Sequence, residues 1–414
     1  MKANCFSFPI FFGLALTLQV GGAFAGDNFP RQFSFGNGAA QAGWTLVRAT
    51  SFYSATTGFG FEPGAAVGGT NYLSSAKPFL FSVHLPEGNY AVTAWLNDNT
   101  GDAVTTVKAE QRRLLLEKIQ IAPGTPAART FIVNVRTPKI SETEKVHLKA
   151  RELATETVDW DEKLTLEFNG TLPTLRALSI APTNVPTIFI AGDSTVCDQP
   201  AEPWNSWGQM LPRFFLPNVA VANYAESGES IKSSLGAKRF EKIFSRMKKG
   251  DYLFLQFGHN DMKDKATNAL ATYESNLRKI VARARELGGT PVLVTSMERK
   301  AGVTNDTLAG YPETVRAVAK SENIALIDLH ELSKIFYHAL GADLDKAFQD
   351  GTHHNNYGSY ELAKCVVLGI RQARLPLAQS IVADFKFDPS KPDDVNRFEM
   401  PTSPTVSKEK PLGN

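Results

Sequence analysis

The sequence predicts an α/β protein: a three-layer α/β/α domain built on a parallel sheet, preceded by an antiparallel β-sandwich. Two observations carry this expectation. Up to about Ile180 the apolar residues come in short runs with period-two alternation, punctuated by Gly, Pro and Asn, the pattern of strands with one buried face. After Pro186 nearly continuous apolar runs alternate with helical stretches, the mark of parallel strands covered on both faces.

Taken in order, Phe79–Leu85, Tyr90–Leu96, Thr130–Val135 and Leu164–Phe168 read as strands, with turns at Pro86–Asn89 and Ala122–Thr125 and no convincing helix among them. Thr171–Pro186 holds three prolines and little periodicity, which suits a linker. Beyond it, strands are expected at Thr187–Ala191, Val219–Asn223, Asp251–Phe257, Pro291–Met297 and Ile324–Leu329. Helices are expected at Thr272–Leu287, with Leu277, Ile280, Val281 and Ala284 on one face, and at Glu313–Asn323 and Tyr357–Arg374. The expected units are therefore a sandwich over 26–180, an α/β/α domain over 186–385, and a loose tail over 388–414 rich in Pro, Lys, Asp and Ser.

At 414 residues there is room for two domains, and 43% hydrophobic with 21% charged residues is ordinary globular composition. A net charge of +2 gives no reason to expect nucleic acid or an anionic membrane as partner. The first residues look like a targeting device: Lys2, an apolar run from Phe6 to Val20, and Ala23-Phe24-Ala25 as a cleavage site. A signal peptide over 1–25 implies a secreted or periplasmic protein with no membrane insertion after cleavage. Its removal takes away Cys5 and leaves Cys197 and Cys365, for which an export compartment permits a disulfide. Two unpaired or buried thiols are the plainer reading.

The first parallel strand runs into Gly192-Asp193-Ser194, and Asp350-Gly-Thr-His353 lies far downstream. A lone serine is a poor nucleophile near neutral pH; it needs a base within hydrogen-bond reach and an acid to hold that base in the right tautomer. In an open parallel sheet reactive groups gather at the carboxyl ends of the strands. Ser194, Gly228 and Asn260 each follow a predicted strand, and Asp350-Gly-Thr-His353 precedes the last helix. These pieces suit an ester hydrolase, with Ser194 as nucleophile, His353 as base and Asp350 as its orienter. The backbone N–H groups of Ser194 and Gly228 and the Asn260 amide would serve as oxyanion donors. The plainer readings are a turn glycine at Gly228 and a helix cap at Asn260. His259 reads as a packing residue, and His354 as a neighbour shaping the pocket. Asp328 and His330, in Ile327-Asp-Leu-His330, are discounted as a second pair.

The blocks Gly-Asp-Ser, Gly228, Gly-His-Asn-Asp and Asp-x-x-His, in this order, resemble the signature of the SGNH (GDSL) hydrolase superfamily. The resemblance covers roughly Thr187 to Arg374. A narrower likeness is to the rhamnogalacturonan acetylesterase family of carbohydrate esterases. It rests on Ala191-Gly-Asp-Ser-Thr-Val196, Glu202-Pro-Trp-Asn-Ser-Trp-Gly-Gln209, Gln256-Phe-Gly-His-Asn-Asp261 and Asp350-Gly-Thr-His-His-Asn355. That likeness implies a triad of Ser194, Asp350 and His353, oxyanion partners at Gly228 and Asn260, and no metal or organic cofactor. It also implies hydrolysis of O-acetyl esters on pectic polysaccharide, and some members carry an extra N-terminal β-sandwich. The doubled His353-His354 departs from the pattern.

Trp204 and Trp207 either stack on pyranose rings or cover the nucleophile's loop as core. Asp198, Gln199 and Glu202 either bind sugar hydroxyls or stand as solvated loop residues, and His354 is a further candidate for substrate contact. The sandwich, with Tyr53–Tyr72 rich in Gly and aromatics (Phe59, Phe61), either binds glycan or stabilises the chain. Three functions remain open: a secreted carbohydrate O-acetylesterase, an esterase for lipid or other small acyl esters, and an inactive glycan-binding protein.

Overall fold

Period-two burial governs the N-terminal half: in strand Gly88–Leu96 the side chains of Tyr90, Val92, Ala94 and Leu96 are buried and their neighbours partly open. The structure is a computed structural model that describes residues 29–39, 42–97 and 101–412. The expected signal peptide, with Cys5, lies outside the described residues. One five-stranded sheet runs in the order Thr45–Val47, Arg31–Phe35, Ala177–Pro182, Gly88–Leu96, Ala127–Val135. The other runs Phe59–Phe61, Phe79–His84, Lys163–Thr171, Val104–Ala109, Arg113–Gln120. All their pairings are antiparallel except that of Arg31–Phe35 with Thr45–Val47. Phe33, Phe35 and Val92 from the first sheet meet Phe61, Phe81 and Phe168 from the second in one apolar cluster.

Two expectations change here. The stretch read as a linker contains the strand Ala177–Pro182, an inner member of the first sheet with Ala177 opposite Trp95. Its prolines mislead because Pro182 ends the strand, where no ladder donor is required of it. A six-residue helix, Ala150–Thr155, also stands between two strands.

The second half alternates differently, because successive residues of each strand feed two separate cores. Ile188, Ile190, Phe254, Val292 and Ile327 pack with helices Leu329–Leu340 and Asn356–Gln372. Phe189, Ala191, Leu253, Leu255 and Leu293 pack with helices Arg239–Arg246, Ala269–Glu286 and Tyr311–Ser321. The result is an α/β/α domain on a parallel five-stranded sheet. Its strand order is Ala220–Asn223, Thr187–Gly192, Tyr252–Gln256, Thr290–Val294, Ala325–Ile327. Among the described residues no helix is long and apolar enough to cross a membrane.

Asp328 is not on a strand: it caps helix Leu329–Leu340, accepting from the Glu331 N–H. His330 then turns to Glu298 (3.1 Å) and to the Arg316 guanidinium (3.0 Å), an internal ionic network. Neither residue lies on strand Ala325–Ile327, and the pair takes no part in the Ser194 cluster.

The tail is docked, not loose. Lys108 Nζ donates to the Pro401 carbonyl (2.8 Å) and the Ser403 hydroxyl (2.7 Å). The Glu202 N–H donates to Thr405 O and the Ser407 N–H to Glu202 O, each at 2.9 Å. Phe398 lies 5.4 Å from both the Tyr357 and Tyr360 rings. Missing periodicity marks a segment without helix or strand; it does not mark one without partners.

Candidate active site

The strand Thr187–Gly192 ends in a tight passage, since a Cβ on Gly192 would stand 2.6 Å from Val196 Cγ2 and 2.8 Å from Gln256 O. Asp193, fully buried, then fixes the turn beneath Ser194. One carboxylate oxygen accepts from the Thr195 N–H (2.9 Å) and hydroxyl (2.7 Å), and the other lies 3.3 Å from His259 Nδ1. Burial opposes ionisation of Asp193, but His259 and the Thr195 donors outweigh it and hold the carboxyl below its ordinary range. His259 Nε2 meets the Met297 carbonyl at 3.0 Å, so this ring packs the turn. Gln199 Nε2 donates to the Ser194 carbonyl at 2.7 Å.

His353 and Asp350 arrive on the loop before helix Asn356–Gln372, whose cap Asn355 accepts from the Gly358 N–H. His353 Nε2 is 2.8 Å from Ser194 Oγ, and His353 Nδ1 is 2.9 Å from Asp350 Oδ2. The other Asp350 oxygen accepts the backbone N–H groups of Thr352 and His353, both at 2.7 Å. Partial burial raises the Asp350 carboxyl, yet the His353 ring and these N–H groups prevail and hold it well below the carboxylate range. The acid therefore stays ionised and keeps Nδ1 protonated, which leaves Nε2 free to take a proton from Ser194.

Gly228 sits at φ +78°, a left-handed conformation that glycine adopts without strain. Among the described residues neither its N–H nor that of Ser194 is given to an acceptor. The Asn260 side chain does not cap the short helix after it. Its Nδ2 donates to Glu229 O at 3.0 Å, while Oδ1 accepts Lys263 Nζ at 2.9 Å. An amide anchored at both ends has its second N–H in a fixed direction.

Of the expected substrate contacts Trp204 stands edge-on to His353, with ring centroids 6.0 Å apart. Trp207 is completely buried, with its N–H on Gln256 Oε1 (2.7 Å), so it is core. Asp198 is buried in a pair with Arg113 (3.0 Å) and accepts the Asn223 amide (2.8 Å). Glu202 is buried against Arg112 (2.8 Å) and accepts from Asn356 and Ser403. His354 is buried in contact with Phe348 (4.0 Å), its Nε2 on the Tyr337 hydroxyl (3.0 Å). The sugar-contact reading is corrected for these four, because each has its hydrogen bonds or ring contacts inside the protein. Gln199 likewise is a loop support.

Sequence reasoning missed the supports supplied by the N-terminal half. The turn between Val104–Ala109 and Arg113–Gln120 inserts into the Val196–Trp204 loop. Gln111 Nε2 donates to Asp198 O (2.9 Å), and Arg112 Nη1 to Gln199 O (3.1 Å) and Trp204 O (3.0 Å). A signal was present: this turn has no Gly, Asn or Pro, and Glu110 and Arg112 both take positive φ. Cys197 and Cys365 are free, buried thiols.

Residues 190–359 match the model of the GDSL-like Lipase/Acylhydrolase family. The chain is similar to the rhamnogalacturonan acetylesterase RhgT of Bacillus subtilis, 35% identical over 218 residues, which is 47% of this chain and 94% of that protein. It is also similar to the uncharacterized esterase YxiM of the same organism, 29% identical over 369 residues, covering 82% of this chain and 90% of that one. The crystal structure of the YxiM protein of Bacillus subtilis aligns over 83% of this chain and 99% of its own, with a TM-score of 0.46 and 26% identity.

Proposed function

Because the chain belongs to the GDSL-like lipase/acylhydrolase family of SGNH hydrolases and is a carboxylic ester hydrolase, we propose that it removes O-acetyl groups from polysaccharide. The favoured substrate is pectic rhamnogalacturonan, met outside the cytoplasm after export. The observation that carries the chemistry is the unbroken relay Ser194 Oγ, His353, Asp350 at 2.8 and 2.9 Å. The similarity to a rhamnogalacturonan acetylesterase supports the substrate.

Ser194 Oγ attacks the acetyl carbonyl carbon as His353 Nε2 takes its proton. The Ser194 and Gly228 N–H groups and the Asn260 amide receive the charge that develops on the carbonyl oxygen. Collapse of the tetrahedral intermediate breaks the bond to the sugar oxygen, which takes the proton from His353. Water, deprotonated by His353, then frees acetate from the acetyl-serine. Every proton transfer is assigned to a side chain of this protein, so activity is expected in the presence of a chelator.

Acetate release from a panel of acetylated polysaccharides and short acyl esters tests this reading. Rhamnogalacturonan is expected to rank first; a ranking that rises with acyl-chain length would instead establish a lipid or small-ester hydrolase. Asn260→Ala is expected to lower kcat about 10²–10³-fold with KM little changed, the cost of one oxyanion donor. An unaltered kcat would return Asn260 to a purely structural role.

For the N-terminal half, the pair of sheets is best read as a β-sandwich that stabilises the hydrolase. Phe61 is fully buried and Phe59 packs on Phe33 at 5.1 Å, so these two aromatics of the Tyr53–Tyr72 stretch serve the core of the sandwich.

A further inference from the structure

Lys149 stands just before helix Ala150–Thr155, between two strands of the N-terminal sheets. Its backbone N–H donates to Glu152 Oε2 (2.8 Å), and Glu152 also holds the Arg239 guanidinium (2.5 Å) and the Trp160 indole N–H (3.1 Å). The Lys149 side chain therefore starts from a fixed point. Its Nζ donates to the Ser227 carbonyl at 2.6 Å and pairs with Glu229 Oε1 at 2.7 Å. Two residues on, Arg151 Nη2 lies 2.8 Å from Glu226 Oε1. The segment Glu226–Glu229 is thus gripped from the N-terminal half of the chain.

Ser227 C=O and Gly228 N–H are the two ends of one planar peptide group. A cation on the carbonyl oxygen fixes that plane and draws electron density from the nitrogen, so the N–H becomes a stronger donor, as along any hydrogen-bonded chain. This peptide also lies beside the nucleophile, since Gln199 Nε2 touches Ser194 O (2.7 Å) and Ser227 Oγ (3.3 Å) together. Glu229, the other residue Lys149 grips, presents its carbonyl to the Asn260 amide.

We propose that Lys149 is a positioning residue for ester hydrolysis, orienting and polarising the Gly228 N–H through the Ser227 carbonyl. The proposal rests on the oxyanion role given to Gly228 above. Lys149 acts through the peptide and not on the substrate. It makes the N-terminal half part of the hydrolase.

The test uses the full chain, an acetyl ester, and a boronic acid that forms a tetrahedral adduct on the serine, with rates normalised to titrated active sites. Lys149→Met is expected to lower kcat about tenfold, less than loss of a direct oxyanion donor. It should weaken the boronate by a similar factor and leave KM within about twofold. Lys149→Arg, which keeps a charged donor, should retain most of the rate. A structural role alone would reduce the number of active sites without changing boronate affinity per site. Unchanged kcat and boronate affinity in Lys149→Met would overturn the proposal. If that variant does not fold, Lys149→Gln decides by the same two measurements. Asn260→Ala in the same assay separates the levels: weakened boronate there with none in Lys149→Met removes only the Lys149 proposal. No effect in either removes the oxyanion reading itself.

Discussion

Ser194→Ala is expected to abolish acetate release, lowering kcat on the order of 10⁶-fold by comparison with other serine-hydrolase nucleophiles. The whole fall should come from chemistry. Among the described residues Ser194 Oγ has one side-chain partner, His353 Nε2, and its turn is held through Asp193, Thr195 and Gln199. Removing the hydroxyl leaves that turn intact, so the melting temperature should move little and polysaccharide binding should persist. Residual activity above a few per cent of the parent, measured with freshly purified protein, would mean another group attacks the ester.

The adjacent histidines provide the second large effect. His353→Ala should cost about 10⁴-fold or more in kcat, the size of a lost general base in a triad. His354→Ala should act differently. Burial and the neighbouring His353 push the His354 imidazole down to about 3, so it stays neutral at any ordinary working pH. Its Nε2 is already on the Tyr337 hydroxyl, and its ring stacks against Phe348 and Tyr337. Truncating it opens a hole and strands that hydroxyl, a loss of about 2 kcal/mol of stability with kcat per folded molecule nearly unchanged. The two variants, measured for both melting temperature and kcat, should therefore fall on different axes. A larger kcat loss at His354 would reassign the base.

The meeting of Ser194, His353 and Asp350 was legible because each part answers to a local rule. A buried strand that ends in Gly-Asp-Ser, a glycine in a turn, and an Asp three residues before a His need no knowledge of the rest of the chain. The misread residues share the opposite property. Asp198 and Glu202 look like solvated loop carboxylates until Arg113 and Arg112 reach them from some ninety positions earlier in the chain. Trp207 stays open between sugar platform and core until Gln256 takes its N–H inside the sheet layer. Likewise Asp328 falls inside an expected strand because the residues around it in Ile324–Leu329 are apolar, and the hydrogen bond from Glu331 shows that a helix begins there. Period and composition report what a segment does alone. A charge pair between distant segments leaves no mark in either one.

The strap formed by residues 401–407 links the surroundings of Ser194 to a distant part of the chain. The Pro401 carbonyl and Ser403 hydroxyl that receive the Lys108 ammonium lie 293 and 295 positions away from it in the chain. Burial pulls the Lys108 pKa down against the pull of Glu167 and Glu202, so the ammonium is costly to hold inside without those acceptors. The loop carrying Glu202 and Trp204 is therefore tied through Glu202 both to that lysine and to the 401–407 segment. Residues 401–407 act as a latch on that loop, so a substitution there is expected to be felt beside His353 through Trp204 without touching either ring.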